Sequence, residues 1–201
     1  MRNLTSVASS TTIVCTEVIW VCLGYRIFLG GRIPGRAVGA IAVTLAGSVL
    51  IAFADSGSRG HLWGDVLALL AAVAVAGYTL IGRVVRAKAS TSVYTYLVYT
   101  VCALALVLTC AFQGLGLTAY GSSPILVGLA LAVFSTILGH SIFSWCLKYF
   151  SPAFVSASKL CEPVGAAALA AVLFAQIPTA LQLLGGGLIL GGVLWYSRME
   201  I

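Results

Sequence analysis

The sequence predicts an all-α membrane protein, a polytopic bundle of about seven transmembrane helices. The 201-residue chain is 61% hydrophobic and only 8% charged, whereas soluble domains contain about 25% charged residues. Its apolar residues also form stretches of roughly the 17–25 residues that a helix needs to cross the hydrocarbon of a bilayer. These predicted spans are 6–29, 36–54, 63–82, 93–112, 124–147, 152–174 and 180–197.

The pattern within these stretches favours helices over a transmembrane barrel. Barrel strands of about ten residues alternate between lipid-facing and interior-facing side chains. No such alternation occurs in the run LALLAAVAVAGYTLIG at 67–82. The lipid bilayer is therefore the expected surrounding of most of the chain, with short loops outside it.

Basic residues are unevenly distributed between the predicted loops. Eight of the eleven fall on one face, and the positive-inside rule makes that face cytoplasmic. We therefore predict a multi-pass protein of the plasma membrane with a cytoplasmic C-terminus. The net charge of +6 comes largely from these short loop anchors and not from a basic stripe, so no nucleic-acid partner is expected. The eight residues are Arg26, Arg32, Arg36, Arg83, Arg86, Lys88, Lys148 and Arg198.

The chain also contains an internal repeat. Matching residues recur with an offset of 145 positions, as in Glu17 and Glu162, or of 144 positions after a one-residue slip, as in Pro34 and Pro178. With five spans per repeat, the second copy is inverted relative to the first, a 5+5 construction typical of secondary transporters. We predict that residues 1–56 are the C-terminal part of a first repeat, with two spans, and that residues 62–201 are a complete second repeat of five spans.

Three ionisable residues inside predicted spans are candidate substrate-binding residues: Glu17, Lys159 and Glu162. Each such charge costs about 2.5–3.5 kcal/mol at mid-membrane on insertion scales. Lys159 and Glu162 are three positions apart on one predicted helix and are expected to pair, either to fix helix packing or to line a cavity. Pro163 weakens that helix, which favours a cavity. The partner of Glu17 is either Lys159 or a residue outside this chain.

His140 and Trp145 complete the candidate substrate-binding residues. His140 either packs through hydrogen bonds, or it carries a proton or contacts substrate. His140 and Cys146 together could suggest an enzyme. Because they are six positions apart, their side chains point to different faces of a helix. There is no GxSxG, HExxH or P-loop pattern and no CxxC among the six cysteines, so we expect no enzymatic activity, metal or cofactor.

Several segments together resemble a known family. They are Gly139–His140, the LKYFSP junction, the EPV at Glu162 to Val164, a closing glycine-rich span, and the stretch from TSVASSTT through IPGRAVGAIAVTLAGSVLIAF. They resemble EamA-type transporters of the drug/metabolite transporter superfamily. The resemblance implies a ten-span fold, of which this chain matches spans four to ten and lacks the first three. It also implies secondary transport, often export, of small metabolites such as amino acids or drug-like compounds by alternating access.

The chain departs from that family at two positions, because Gly31 and Gln176 stand where a Glu often precedes the proline of each repeat's last loop. The missing spans also leave an alternative function open. The chain is then a truncated remnant or subunit that does not transport unless a homodimer or a complementing partner completes the bundle. Finally, we expect the small-residue faces Gly35-x3-Gly39 and Gly187-x3-Gly191 to pack closely against other helices.

Overall fold

The computed structural model describes residues 13–54, 62–116, 122–175 and 177–200, and this part of the chain is helical with short loops and no β-strand. Residues 122–146 form one uninterrupted helical run whose middle part is a π-helix. These elements confirm the predicted all-α class. The helices are α1 (Glu17–Phe28), α2 (Gly35–Ala54), α3 (Leu62–Arg86), α4 (Thr91–Phe112), α5 (Ser122–Ala130), the π-helix (Leu131–His140), α6 (Ser141–Cys146), α7 (Pro152–Lys159), α8 (Glu162–Phe174) and α9 (Ala180–Glu200).

Six helical stretches in the described part are long and apolar enough to cross a membrane, with mean hydropathies from 1.2 to 2.1. They confirm the membrane prediction. Of the first predicted span, 6–29, the structure describes only residues 13–29, and α1 lies within them. Residues 6–12 of that span and Gln176 lie outside the described residues. The six stretches are Gly35–Phe53, Val66–Arg86, Thr91–Phe112, Ser123–Cys146, Pro152–Leu173 and Ala180–Glu200.

Large apolar side chains on these helices are exposed in the isolated chain. On α4, Leu104, Leu106 and Leu108 are 59%, 67% and 56% exposed. A soluble protein rarely leaves so continuous an apolar surface in water. Contact with lipid acyl chains covers it at no comparable cost, so the exposure agrees with a bilayer around the helices.

The described chain forms two compact units. The first comprises the described parts of 1–81 and 150–201, and the second comprises those of 82–149. Helix α3 runs from the first unit into the second. The predicted repeats, 1–56 and 62–201, are defined by matching residues in the sequence. The two compact units are defined by packing and do not test the division into repeats, which stays a prediction.

Helices α2 and α9 make the closest helix contact in the first unit. A Cβ added to Gly47 would lie 2.5 Å from the carbonyl oxygen of Gly185, and one added to Gly192 would lie 2.9 Å from the carbonyl oxygen of Ala40. No side chain fits at these distances, so glycine is required there. Because the later residue of α2 meets the earlier residue of α9, the two helices run antiparallel.

The predicted small-residue faces are only partly used. A Cβ on Gly39 would lie 3.3 Å from Trp195, but one on Gly35, Gly187 or Gly191 would meet no atom of the described residues within 4 Å. The prediction is therefore wrong for α9. Gly185 and Gly192 are seven positions apart and share one face of the helix, whereas Gly187 and Gly191 lie on other faces.

The predicted weakening of the helix at Pro163 is confirmed. Helix α7 ends at Lys159 and α8 begins at Glu162. Pro163 has no N–H to donate to the Lys159 carbonyl four positions earlier, and its ring crowds that carbonyl. The N–H groups of Leu160 and Cys161 instead donate over three positions, each at 3.1 Å. As a result, Lys159 and Glu162 belong to two different helices.

Candidate functional site

A buried ion pair joins α1 to α7 in the first unit. The Lys159 ammonium nitrogen lies 2.9 Å from Glu17 Oε1, and the two side chains are only 16% and 11% exposed. Small and apolar residues bring the helices together around the pair, since Val18 of α1 and Ala153 and Ala157 of α7 lie in one buried core cluster. The pair therefore sits between packed helices and not at the surface.

Two buried hydroxyl groups bind the same carboxylate oxygen. Thr79 Oγ1 of α3 and Ser156 Oγ of α7 each donate to Glu17 Oε1 at 3.2 Å, and the Lys159 ammonium also donates to Thr79 Oγ1 at 3.3 Å. Thr79 and Ser156 are 1% and 2% exposed. We call Glu17, Thr79, Ser156 and Lys159 the polar cluster. It draws one residue each from α1 and α3 and two from α7.

The polar cluster is electrically neutral but retains binding capacity. Taking two charges out of water is costly, and the mutual attraction and the added hydrogen bonds offset that cost. All three donors converge on Oε1 of Glu17, so Oε2 accepts from no described residue. The ammonium uses two of its three N–H groups. One oxygen of Glu17 and one N–H of Lys159 are therefore not used by any residue in the described part of the chain.

The predicted pairing of Lys159 with Glu162 is wrong. Lys159 pairs with Glu17, the alternative that the sequence left open. Glu162 is exposed at the start of α8 and forms no ion pair with a described basic side chain. The physical reason is the break before Pro163, because three residues of separation put two side chains on one face only when the helix between them is continuous.

The two other predicted candidates lie in the second unit. His140 is exposed and is the last residue of the π-helix, and Trp145 on α6 is 49% exposed. The Trp145 ring packs against Tyr149 with centroids 4.9 Å apart. A role of His140 and Trp145 in substrate binding stays a prediction.

The second unit buries an arginine side chain with neutral partners. Arg86 is 1% exposed. Its Nε donates to the Ser144 carbonyl at 2.9 Å, its Nη2 to the Thr91 hydroxyl at 2.6 Å, and its Nη1 to the Ala89 carbonyl. One guanidinium thus connects the end of α3 with α4, α6 and the loop between α3 and α4. Five fixed N–H groups make this possible for arginine.

Arg83, one helical turn before Arg86, binds the chain just after α6. Its Nη1 donates to the carbonyls of Leu147 and Lys148 at 2.7 and 3.0 Å. Cations near a helix C-terminus also interact favourably with the helix dipole. We call Arg83 and Arg86 the arginine cluster. Both were predicted as loop anchors, but both lie within α3 and bind backbone carbonyls.

Sequence reasoning missed the hydroxyl members of the polar cluster. Ser156 precedes Lys159 by three positions, and that spacing on a helix could have identified it. Thr79 carries no local signal, because threonine is common in apolar spans and only the packing of α3 brings it to Glu17. Ser48 of α2, whose hydroxyl is buried, was also missed.

Residues 62–198, from the start of α3 almost to the end of α9, match the EamA-like transporter family. The chain belongs to the EamA family. This confirms the resemblance inferred from the sequence motifs, and the family is one of transporters. The polar cluster and the arginine cluster are thus parts of a multi-pass membrane protein of a transporter family.

The fold of this EamA family member is also found in a known crystal structure. The two structures superpose with a TM-score of 0.81 and 20% sequence identity, over 98% of this chain and 69% of the other. At that identity the likeness concerns the fold alone. A search of curated proteins gave no significant match.

Proposed function

We propose that this protein is a secondary transporter that exports small metabolites, such as amino acids or drug-like compounds, by alternating access. The polar cluster is its substrate site. The observation that carries this proposal is the buried Glu17–Lys159 pair, 2.9 Å long and held by two hydroxyls, within the packed helices of a member of a transporter family. Ionisable side chains inside membrane spans are rare and mark substrate or ion pathways.

The free-energy cost of placing two charges inside the membrane supports a functional role for the Glu17–Lys159 pair. Each charge costs about 2.5–3.5 kcal/mol at the centre of a span on insertion scales. Apolar side chains of similar volume could pack α1 against α7 without that cost. A substrate contact gives the charges a use that packing alone does not.

The unused groups of the cluster favour a zwitterionic substrate. Glu17 Oε2 can accept from a substrate amine, and the third N–H of Lys159 can donate to a substrate carboxylate. A zwitterion adds no net charge to the neutral site, whereas a simple cation or anion does. An α-amino acid carries both groups a few ångströms apart and fits this arrangement.

Two features of the first unit support alternating access. Helices α2 and α9 run antiparallel, as the last helices of two inverted repeats do. The break between α7 and α8 directly follows Lys159, and discontinuous helices typically form transporter sites. Rocking of one repeat against the other would expose the polar cluster to each side of the membrane in turn.

Transport into liposomes tests the proposal. Purified protein is first screened for amino acids and other small metabolites that raise its unfolding temperature, since a ligand that binds the folded state stabilises it. Stabilising compounds are then measured for flux in proteoliposomes. We expect flux with the wild-type chain and with Arg198→Gln, which lies outside the polar cluster, and at least tenfold less with Glu17→Gln/Lys159→Met. Equal flux through that double variant and the wild type would remove the cluster from the transport site.

The alternative, a subunit that needs a partner, makes a different prediction in the same assay. It predicts no flux from this chain alone and flux once a complementing EamA protein is reconstituted with it.

The proposed orientation is tested in intact cells with a cysteine-free parent. An impermeant thiol reagent should label Gln113→Cys, in the exposed segment after α4, but not Ala87→Cys, in the exposed loop after α3. The reverse labelling would invert the proposed cytoplasmic C-terminus.

A further inference from the structure

A second polar feature of the first unit lies away from the polar cluster in sequence, in the loop between α1 and α2. There the chain forms a half-open surface cavity of about 640 Å³, lined by Arg26, Gly30, Gly31, Arg32, Ile33 and Pro34. The proposed transport site uses none of these residues. Two of the six are arginines and none is acidic.

The backbone around the cavity is held in a defined turn. Gly30 has a φ of 64°, a left-handed conformation that glycine adopts at little cost. The next N–H, of Gly31, donates to the Tyr25 carbonyl at 3.0 Å. A Cβ on Gly31 would lie 2.2 Å from the Tyr25 ring, so the glycine packs directly on that ring. The backbone that lines this part of the cavity therefore has a defined conformation.

The charge of the cavity is uncompensated within the described part of the chain. Arg26 and Arg32 are both exposed, and neither forms an ion pair with a described acidic side chain. A guanidinium presents parallel N–H groups that match two oxygens of a phosphate. Two guanidinium groups around one concave surface favour binding of an anion with several oxygen atoms over binding of water.

The neighbouring residues identify where that anion comes from. Ile27 and Phe28, directly after Arg26, are 69% and 80% exposed at the end of α1, which lies within the predicted span 6–29. At the end of a predicted span, such apolar side chains are expected to contact acyl chains, and the cavity is then expected at the depth of the lipid headgroups. We infer that Arg26 and Arg32 bind the phosphate of an anionic phospholipid, with Ile27 and Phe28 against its acyl chains. The group that the two arginines bind is therefore a phosphate, and it belongs to a lipid headgroup.

Lipid binding to the purified full chain tests this inference. Phosphatidylglycerol is titrated into the protein in neutral detergent and bound lipid is counted by native mass spectrometry, with phosphatidylcholine and inorganic phosphate as comparison probes. We expect phosphatidylglycerol to bind most tightly. Arg26→Gln and Arg32→Gln should each weaken it about fivefold. The matched control Lys88→Gln, an exposed basic residue of another loop, should leave the affinity within twofold.

Other outcomes would show that the inferred site does not exist or that its ligand is free phosphate and not a lipid. If inorganic phosphate binds as tightly as phosphatidylglycerol and competes with it, the arginines bind phosphate but the acyl-chain contact is wrong. If Lys88→Gln weakens binding as much as the two arginine variants, attraction is general and there is no site. Should the variants not fold, phenylglyoxal modification of the wild-type chain replaces them. Phosphatidylglycerol vesicles, but not phosphatidylcholine vesicles, should then protect Arg26 and Arg32, and equal modification in both would overturn the proposal.

Discussion

Two regions of the chain bury positive charge, and they satisfy it with different partners. In the first unit the Lys159 ammonium meets the Glu17 carboxylate and two hydroxyls complete the contact. In the second unit the Arg86 guanidinium meets two backbone carbonyls and the Thr91 hydroxyl, and no acidic side chain in the described part of the chain pairs with it. Both solutions supply several hydrogen bonds to one cation.

The partners differ in whether they can be exchanged. A carboxylate can change its protonation state or its partner, and an ammonium is a point charge that rotates freely between acceptors. Backbone carbonyls have no charge to lose, and the guanidinium fork fits them in one geometry. The polar cluster therefore suits a site that opens and refills during transport, whereas the arginine cluster suits a permanent tie between helix ends.

The largest effect we expect comes from removing one member of the ion pair. Lys159→Met leaves the Glu17 carboxylate buried without its cation, which should lower the free energy of unfolding by about 3–5 kcal/mol. Glu17→Gln should cost a similar amount by leaving the ammonium unpaired. Unfolding of the purified variants in a titration with denaturing detergent measures both.

The double variant Glu17→Gln/Lys159→Met is the control that separates stability from transport. It contains no buried charge at this position, so most of the lost stability should return. Under the proposed function, transport should not return with it. Additive losses in the double variant would mean that the two residues do not depend on each other, contrary to the 2.9 Å contact.

The second effect in size concerns the arginine cluster. Arg86→Lys keeps the charge but cannot reach the Ser144 carbonyl, the Ala89 carbonyl and the Thr91 hydroxyl in one geometry. Buried acceptors left without a donor should cost about 1.5–3 kcal/mol of the free energy of unfolding. Substrate affinity should be unchanged in the protein that remains folded. A stable Arg86→Lys variant with weakened substrate binding would reverse the roles assigned to the two clusters.

Much of the fold follows from the sequence, because apolar length and loop charge are local properties. Six of the seven predicted spans, the break at Pro163 and the two members of the ion pair, Glu17 and Lys159, could all be found in that way. Which charges meet could not be predicted, because partner choice depends on packing. Glu17 and Lys159 are 142 positions apart, and Thr79 reaches them only through the course of α3. Arg86 was misplaced because loop composition does not reveal whether an arginine folds back onto carbonyls.

The third prediction compares close glycine contacts in the two units. Gly185→Ala would force a methyl group to 2.7 Å from the carbonyl oxygen of Gly47, whereas Gly82→Ala would meet the Leu147 methyl and the Tyr94 hydroxyl at 2.9 Å. Backbone cannot move aside as the end of a side chain can. We expect Gly185→Ala to cost about 1–3 kcal/mol of unfolding free energy and Gly82→Ala clearly less. Gly187→Ala, with no atom of the described residues within 4 Å, is the neutral control. Equal losses at Gly185 and Gly187 would contradict the packing of α2 on α9.

The smallest effect, and the sharpest test of the comparison, comes from removing one hydroxyl from each cluster. Thr79→Val and Thr91→Val keep the side-chain shape. The first deletes two hydrogen bonds and the second deletes one, so each should lower the free energy of unfolding by only about 1–2 kcal/mol. Their effects on function should differ. Thr79 donates to Glu17 at 3.2 Å and accepts from Lys159 at 3.3 Å, so its loss should weaken substrate binding severalfold. Thr91 serves a fixed contact with Arg86, so its loss should leave substrate binding unchanged. Isothermal titration of both variants with the stabilising substrate measures the difference, and equal affinities would show that burial of charge alone does not distinguish a transport site from a structural tie.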